Sequence, residues 1–391
     1  LEFRRVLFRS WLPMSRNAKE VRPQDEQLAN NPLYLARRER AEQDKPPSRG
    51  DSLGAVAATR APGAKTRSEM LDQLLAEDGE LIEGHFGTVF YRPVTVCGVE
   101  LKLEPIQPVI GTVVHGIDLA RDLENPEMVS FLRELWLKRH VVVFRNQNHL
   151  TREQMAEFAE RFGAIGAPFG EREHVPNSPY DLNQQIKAPE VPEMLILPSD
   201  EAVPNAAASW HCDATWQPRP PMGSILMCRE APAVGGDTCF CNCHAMWEGL
   251  PKATKERVRH LTAVHIGSVG HQMDGVTPEA VHPVARTHPE TGRTSLYVQQ
   301  GFVKHFSPEH GIPEDEAGAL LRQMKLQEGR PEYTCRVKWE VGSIAMWDNR
   351  SVLHAASGDF WPQRRFMERL TILDRNESRR APYYDPSAEG A

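Results

Sequence analysis

No run of about 18 apolar residues occurs in the chain, so a membrane-spanning helix is not expected. Positive charge is also in deficit. Lys and Arg number 46 against 53 Asp and Glu, and the net charge of -7 gives no reason to expect nucleic acid. Cysteine is sparse at seven residues, and the amino-terminal stretch lacks a proper apolar h-region or small-residue cleavage site, which fits a reducing cytoplasm. No internal repeat is present. The 391 residues are enough to bury a core, as one large domain or two modest ones.

Composition divides the chain. Residues 1–10, LEFRRVLFRS, read as cloning or adaptor-derived sequence. The whole of 1–93 reads as an amino-terminal extension, polar and partly flexible, with short helices around Asp25 to Glu42 and Ser68 to Glu77. A folded domain is expected over 94–376, followed by a tail over 377–391. Apolar runs predict strands at Val96 to Leu103, Val109 to Val114 and His140 to Phe144. Helical spacing appears over Pro126 to Lys138. Thr151 and Gln154 form a capping box for a second helix, stopped at Gly163. From Gly166 to Ser209 the chain becomes proline-rich and polar, as in a functional loop or lid. Beyond it, strands are expected at Ser224 to Glu230, Thr238 to Cys243, Ser295 to Val298, Tyr333 to Trp339, Ser343 to Trp347 and Arg369 to Leu373, with a turn at His288 to Arg293. Many short strands with helices placed early predict a mainly β fold with flanking helices, a double-stranded β-helix or jelly-roll barrel.

His211-Cys212-Asp213, followed far downstream by His354, Arg365 and Arg369, carries the chemistry. In an extended strand residues i and i+2 share a face, so His211 and Asp213 can grip one metal from one side. His354 would complete three facial ligands. Two imidazoles and one carboxylate with open positions are the ligand set of mononuclear non-haem Fe(II) oxygenases. The alternative is a histidine satisfied by ordinary hydrogen bonds. Arg365 and Arg369 stand at even spacing on one strand face, and a planar guanidinium binds a carboxylate in two-pronged fashion. The pattern asks for iron and a dicarboxylate co-substrate.

Cys239-Phe240-Cys241-Asn242-Cys243-His244 is the competing signal. Alternate spacing places three thiols on one strand face, where zinc could bind. Zinc sites more often use cysteine pairs on turns, so three small apolar side chains filling one face is the favoured reading. Cys212 is expected to face away from the metal. Trp210, Trp216, Trp347 and Phe302 are candidate core or pocket walls, and Asp348, Asn349 and Arg350 a structural corner beside His354.

The stretches WHCDATWQPRPPMGSI, APAVGGDT and MWDNRSVLHAASGDFWPQRRFMERLTIL resemble the taurine/2,4-dichlorophenoxyacetate dioxygenase family. PVIGTVVHGIDLARDL, RHVVVFRNQNHLTREQMAEFAERFG and HPVARTHPETGR match it in order, so the resemblance runs from about residue 100 to 375. It implies that His211, Asp213 and His354 bind Fe(II), and that Thr238 and Arg365 hold the distal carboxylate of 2-oxoglutarate. Arg369 would contact both co-substrate and an anionic substrate. Dioxygen is the second co-substrate, and succinate and carbon dioxide are products. Related halogenases replace the ligating carboxylate with a small residue, so Asp213 implies hydroxylation rather than halogenation. Taurine-acting members carry an asparagine four positions before the first iron histidine, where this chain has Ala207. Their substrate-binding histidine lies in the loop after the RFG helix, where His174 is the candidate here.

The expectation is thus a 2-oxoglutarate-dependent enzyme acting on a small anionic molecule, with Phe302, His174, Ala207 and Arg369 near it. A homo-oligomer, dimer or tetramer, is expected. Desaturation or cyclisation at the same site is the first alternative. A non-catalytic metal- or metabolite-binding protein is the second, and a zinc module on the cysteine strand the third.

Overall fold

Cys97 and Gly98 reverse the chain between Pro93–Val96 (β1) and Val99–Gln107 (β2). Their φ values of 51° and 79° are the left-handed ones that a two-residue hairpin loop requires. The computed structural model describes residues 93–166, 188–199, 209–267 and 276–388. All lie in the compact unit Pro46–Ala391. The expectations for residues 1–92, for His174 and for Ala207 fall outside the described residues.

Strand β3 (Ile110–His115) pairs antiparallel with β2 and parallel with β4 (Val141–Phe144). A parallel step needs a crossover, and helix α1 (Pro126–Arg139) supplies it. Asn125 caps that helix by accepting from the Glu127 amide, Pro126 stands where a missing N–H costs nothing, and His140 ends it at φ 63°. The strand expected from His140 therefore starts one residue later. Helix α2 (Arg152–Phe162) has the reciprocal Thr151–Gln154 capping box. Gly163 follows because an added Cβ would meet the Leu373 carbonyl oxygen at 2.4 Å.

The remaining elements are β5 (Ala164–Gly166), β6 (Leu195–Ser199), β7 (Gly223–Glu230), β8 (Thr238–Asn242), α3 (Cys243–Glu248), α4 (Lys252–Val258), β9 (Thr262–Ile266), β10 (Glu279–Pro283), β11 (Ala285–Thr287), β12 (Thr294–Leu296), β13 (Val303–Phe306), α5 (Glu314–Lys325), β14 (Thr334–Val337), β15 (Ile344–Asp348), β16 (Val352–Ala356) and β17 (Arg365–Leu373). A nine-stranded sheet runs β1-β2-β3-β4-β15-β7-β17-β5, with β6 also on β17. A three-stranded sheet runs β14-β8-β16. Leu226, Cys228, Ala345 and Trp347 of the large sheet join Phe240, Cys241, Val352 and Leu353 of the small one in a single buried cluster. Burial of this apolar surface holds the two sheets together. The fold is the mainly β jelly roll with flanking helices, in open sheets that do not close into a barrel.

Several expectations change. Helices α3, α4 and α5 lie outside the expected set. The strand expected to reach Cys243 stops at Asn242, whose side chain accepts from the His244 and Ala245 amides and so starts α3. Cys243 therefore leaves the strand, and the three thiols do not line one face. Strand β17 begins four positions earlier than expected, at Arg365, because β6 pairs with it from Arg365 to Arg369. The apolar run Met194 to Leu197 in the long loop supplies most of β6. Among the described residues no helix is long and apolar enough to cross a membrane.

Candidate active site

Strand β16 carries His354, and a single bridge of two backbone hydrogen bonds (3.0 and 2.8 Å) clamps His211 against it. The expected extended strand around His211 is absent. After the bridge the chain enters a turn at residues 213–216, with Ala214 at φ 48°, and the Asp213 side chain lies beside His211. Asp213 Oδ1 lies 3.7 Å from His211 Nε2 and 3.5 Å from His354 Nε2. One ligand atom from each of the three residues falls within 4.8 Å of the others. Among the described residues no other group of His, Cys, Asp and Glu side chains meets that test, the cysteine strand included. Cys212 turns away, its thiol donating to the Val352 carbonyl at 3.1 Å while its amide is held by Gln299 Oε1.

The donor set fits a divalent iron. His211 Nδ1 sits 2.7 Å from the Ser209 carbonyl, so Nδ1 carries the proton and Nε2 presents its lone pair. Burial, reinforced by neighbouring His354, pulls the His211 pKa down to about 3, which keeps the ring neutral and able to ligate. Burial alone would raise Asp213, but Arg369 and the two histidines more than offset it and hold the carboxyl well below its ordinary value. Asp213 Oδ2 is already engaged, by Ser224 Oγ at 2.8 Å and Arg369 Nη2 at 2.7 Å. That leaves Oδ1 for a metal. Phe302 lies edge-on to His211 at 5.9 Å and to Trp216 at 4.6 Å, and Trp347 and Phe240 flank His354.

A second polar group lies along β17. Arg365 is 6% exposed, and its Nη2 donates to Thr238 Oγ1 at 3.3 Å. Trp339 Nε1 donates to the same hydroxyl at 3.0 Å, and the Trp339 ring lies 5.8 Å from the guanidinium. Burial lowers the Arg365 pKa to about 10, which leaves it cationic at neutral pH. Its Nε is buried with no hydrogen-bond partner, and among the described residues no carboxylate is paired with it. A buried cation of this kind is costly unless an anion joins it. A dicarboxylate therefore fits the residues present. Arg365 and Arg369 do share one face of β17, since the register shift beside Phe366 inserts the extra residue, Arg229, into β7.

The family model described as Taurine catabolism dioxygenase TauD, TfdA family matches residues 102–371. The chain belongs to that family. An alkylsulfatase of Acinetobacter baylyi is 31% identical over 294 residues, covering 70% of this chain and 85% of that protein. An alpha-ketoglutarate-dependent sulfate ester dioxygenase of Pseudomonas putida is 29% identical over 70% of this chain and 90% of its own. The crystal structure of a taurine dioxygenase from Burkholderia xenovorans superposes with a TM-score of 0.59 at 30% identity, covering 74% of this chain and 98% of that one. The chain is accordingly a 2-oxoglutarate-dependent non-haem iron dioxygenase, of a family that uses Fe(II), 2-oxoglutarate and dioxygen.

Sequence reasoning missed Ser224, Trp339 and Gln299, and named Asn349 only as part of a structural corner. Ser224 and Asn349 orient Asp213, Trp339 addresses Thr238, and Gln299 ties Cys212 to Thr215 through a 2.6 Å bond. Ser224 stood inside the stretch WHCDATWQPRPPMGSI, and Asn349 in WDNR. Its neighbours Asp348 and Arg350 instead form a buried network with His288 and Glu290, the structural corner expected.

Proposed function

We propose that His211, Asp213 and His354 bind Fe(II), that Arg365 and Thr238 hold the far carboxylate of 2-oxoglutarate, and that the enzyme hydroxylates a small anionic organic substrate. One oxygen atom of dioxygen goes to the substrate carbon and the other to succinate, with release of carbon dioxide. The buried Arg365 guanidinium, with no acidic partner among the described residues beside the Thr238 hydroxyl, carries this reading. Bound Fe(II) supplies the activation of dioxygen and the oxidising power. The chain itself fixes the His211 tautomer through Ser209, leaves one Asp213 oxygen free, and surrounds the site with Phe302, Trp216 and Trp347 to exclude water.

An anionic substrate is supported by Arg369, whose Nε is buried without a hydrogen-bond partner although Nη2 serves Asp213. The relatives named for a sulfate ester, for (S)-phenoxypropionate and for 2,4-dichlorophenoxyacetate point the same way, since each name denotes an anion. Ala207, where taurine-acting relatives carry asparagine, argues against taurine itself. Hydroxylation of a carbon bonded to the heteroatom of such a group gives a product that collapses to a carbonyl and frees the anion, for example sulfite from a sulfonate. Succinate formation with Fe(II) and 2-oxoglutarate, measured across sulfonates, sulfate esters, aryloxy acids and neutral analogues, tests this. Strong stimulation by one anionic class is expected. Stimulation by neutral molecules alone would remove the anionic reading, and unchanged turnover in Asp213→Ala would remove the metal assignment.

A further inference from the structure

Thr238 Oγ1 has one proton to give and two lone pairs to fill. Trp339 Nε1, which can only donate, occupies one lone pair at 3.0 Å. Arg365 Nη2, also only a donor, occupies the other at 3.3 Å. The hydroxyl thus has a single remaining capacity, which is donation. Thr238 is 2% exposed and Trp339 3%, so water does not compete for these bonds.

We infer that Trp339 is a positioning residue that holds the Thr238 hydroxyl as an obligate donor, making this end of the pocket selective for a carboxylate over an uncharged amide. This rests on the co-substrate pocket proposed above. An amide in place of the far carboxylate would turn an N–H toward a site built only of donors: the Thr238 proton and the Arg365 guanidinium. Removing the indole N–H frees one lone pair on Thr238, and the hydroxyl can then rotate to accept from such an amide. The Trp339 ring also lies near the Arg365 guanidinium, so a substitution that keeps an aromatic ring isolates the hydrogen bond from the packing.

The test compares 2-oxoglutarate with 2-oxoglutaramate, its amide, in wild type, Trp339→Phe, Thr238→Val and the double variant. Calorimetric Kd values are taken anaerobically with the Mn(II)-loaded protein, and KM and kcat with the iron enzyme. Loss of one neutral donor predicts a 2-oxoglutarate Kd and KM about 3- to 10-fold higher in Trp339→Phe, with kcat within about twofold. The carboxylate-over-amide preference should narrow by a similar factor, and Trp339→Phe should add nothing in the Thr238→Val background. An unchanged Kd and preference, or full additivity with Thr238→Val, would overturn the inference. If Trp339→Phe does not fold, replacing the indole with a benzothiophene side chain keeps the shape and removes only the N–H. Failure of the pocket itself looks different: Thr238→Val and Arg365→Lys would then both leave the 2-oxoglutarate Kd unchanged.

Discussion

Ser224 Oγ donates to Asp213 Oδ2 across 2.8 Å, and its own lone pairs face Asn349 Nδ2 at 3.1 Å and Arg369 Nη2 at 3.4 Å. With both acceptor positions used, the serine proton can go only to the carboxylate. Trp347 Nε1 in turn fixes Asn349 Oδ1 at 3.0 Å, so a chain of three bonds sets which Asp213 oxygen is left for the metal.

Ser224→Ala should therefore weaken Fe(II) binding by about 10- to 100-fold, the usual scale for residues that orient a ligand. A metal titration of the purified variant checks this, with melting temperature as the control for folding. Wild-type affinity would show that Arg369 alone orients Asp213.

Glu368 lies on the opposite face of β17 from the arginines, 2% exposed, and bridges Arg152 Nε at 2.7 Å and Arg229 Nε at 2.6 Å. It ties α2 to the sheet. Glu368→Gln takes the carboxylate from Arg229 and leaves Arg152 with Glu190 at 2.9 Å, at an expected cost of roughly 3 kcal/mol, the low end of the range for breaking a buried pair. Urea denaturation reads this as a lower midpoint with unchanged slope. A shift below about 1 kcal/mol would mean that water takes the carboxylate's place.

Burial pushes the Glu328 carboxyl from 4.5 up to about 8, more than the Gln300 amide and Lys325 pull it back. The folded state keeps a proton that the unfolded chain releases. This contribution to stability is fully present below about pH 4.5 and is lost as pH rises toward about 8. The melting temperature of the wild type should accordingly fall relative to Glu328→Gln between about pH 5 and pH 8, with the gap widest at the top of that window. A constant gap would refute the assignment.

Much of this protein was legible locally. The Thr151–Gln154 box, the β-branched run before Phe144 and the turn at His288 to Arg293 are short-range signals, settled by hydrogen bonds and sterics within a few residues. The candidate metal triad was legible because its residue types and order are chemically restrictive. Its stated geometry was not: His211 is fixed by a bridge to His354 and Asp213 opens a turn, so the two do not share an extended strand. Cys243 left its strand because Asn242 found two helix amides to accept from, a competition that alternate spacing cannot register.

By itself, then, the sequence determined the ligand types, the two arginines on one strand face, most local elements and, through its ordered motifs, the family. Tertiary structure alone decided which oxygen of Asp213 stays free, which donors fill Thr238, and which cations meet Glu368. Those outcomes depend on register between strands distant in the chain: β8 against β16, β17 against β7, and β6 against β17. Register is chosen by the burial of whole faces rather than by any one residue, so its consequences for a single hydroxyl or carboxylate appear only once the sheets have packed.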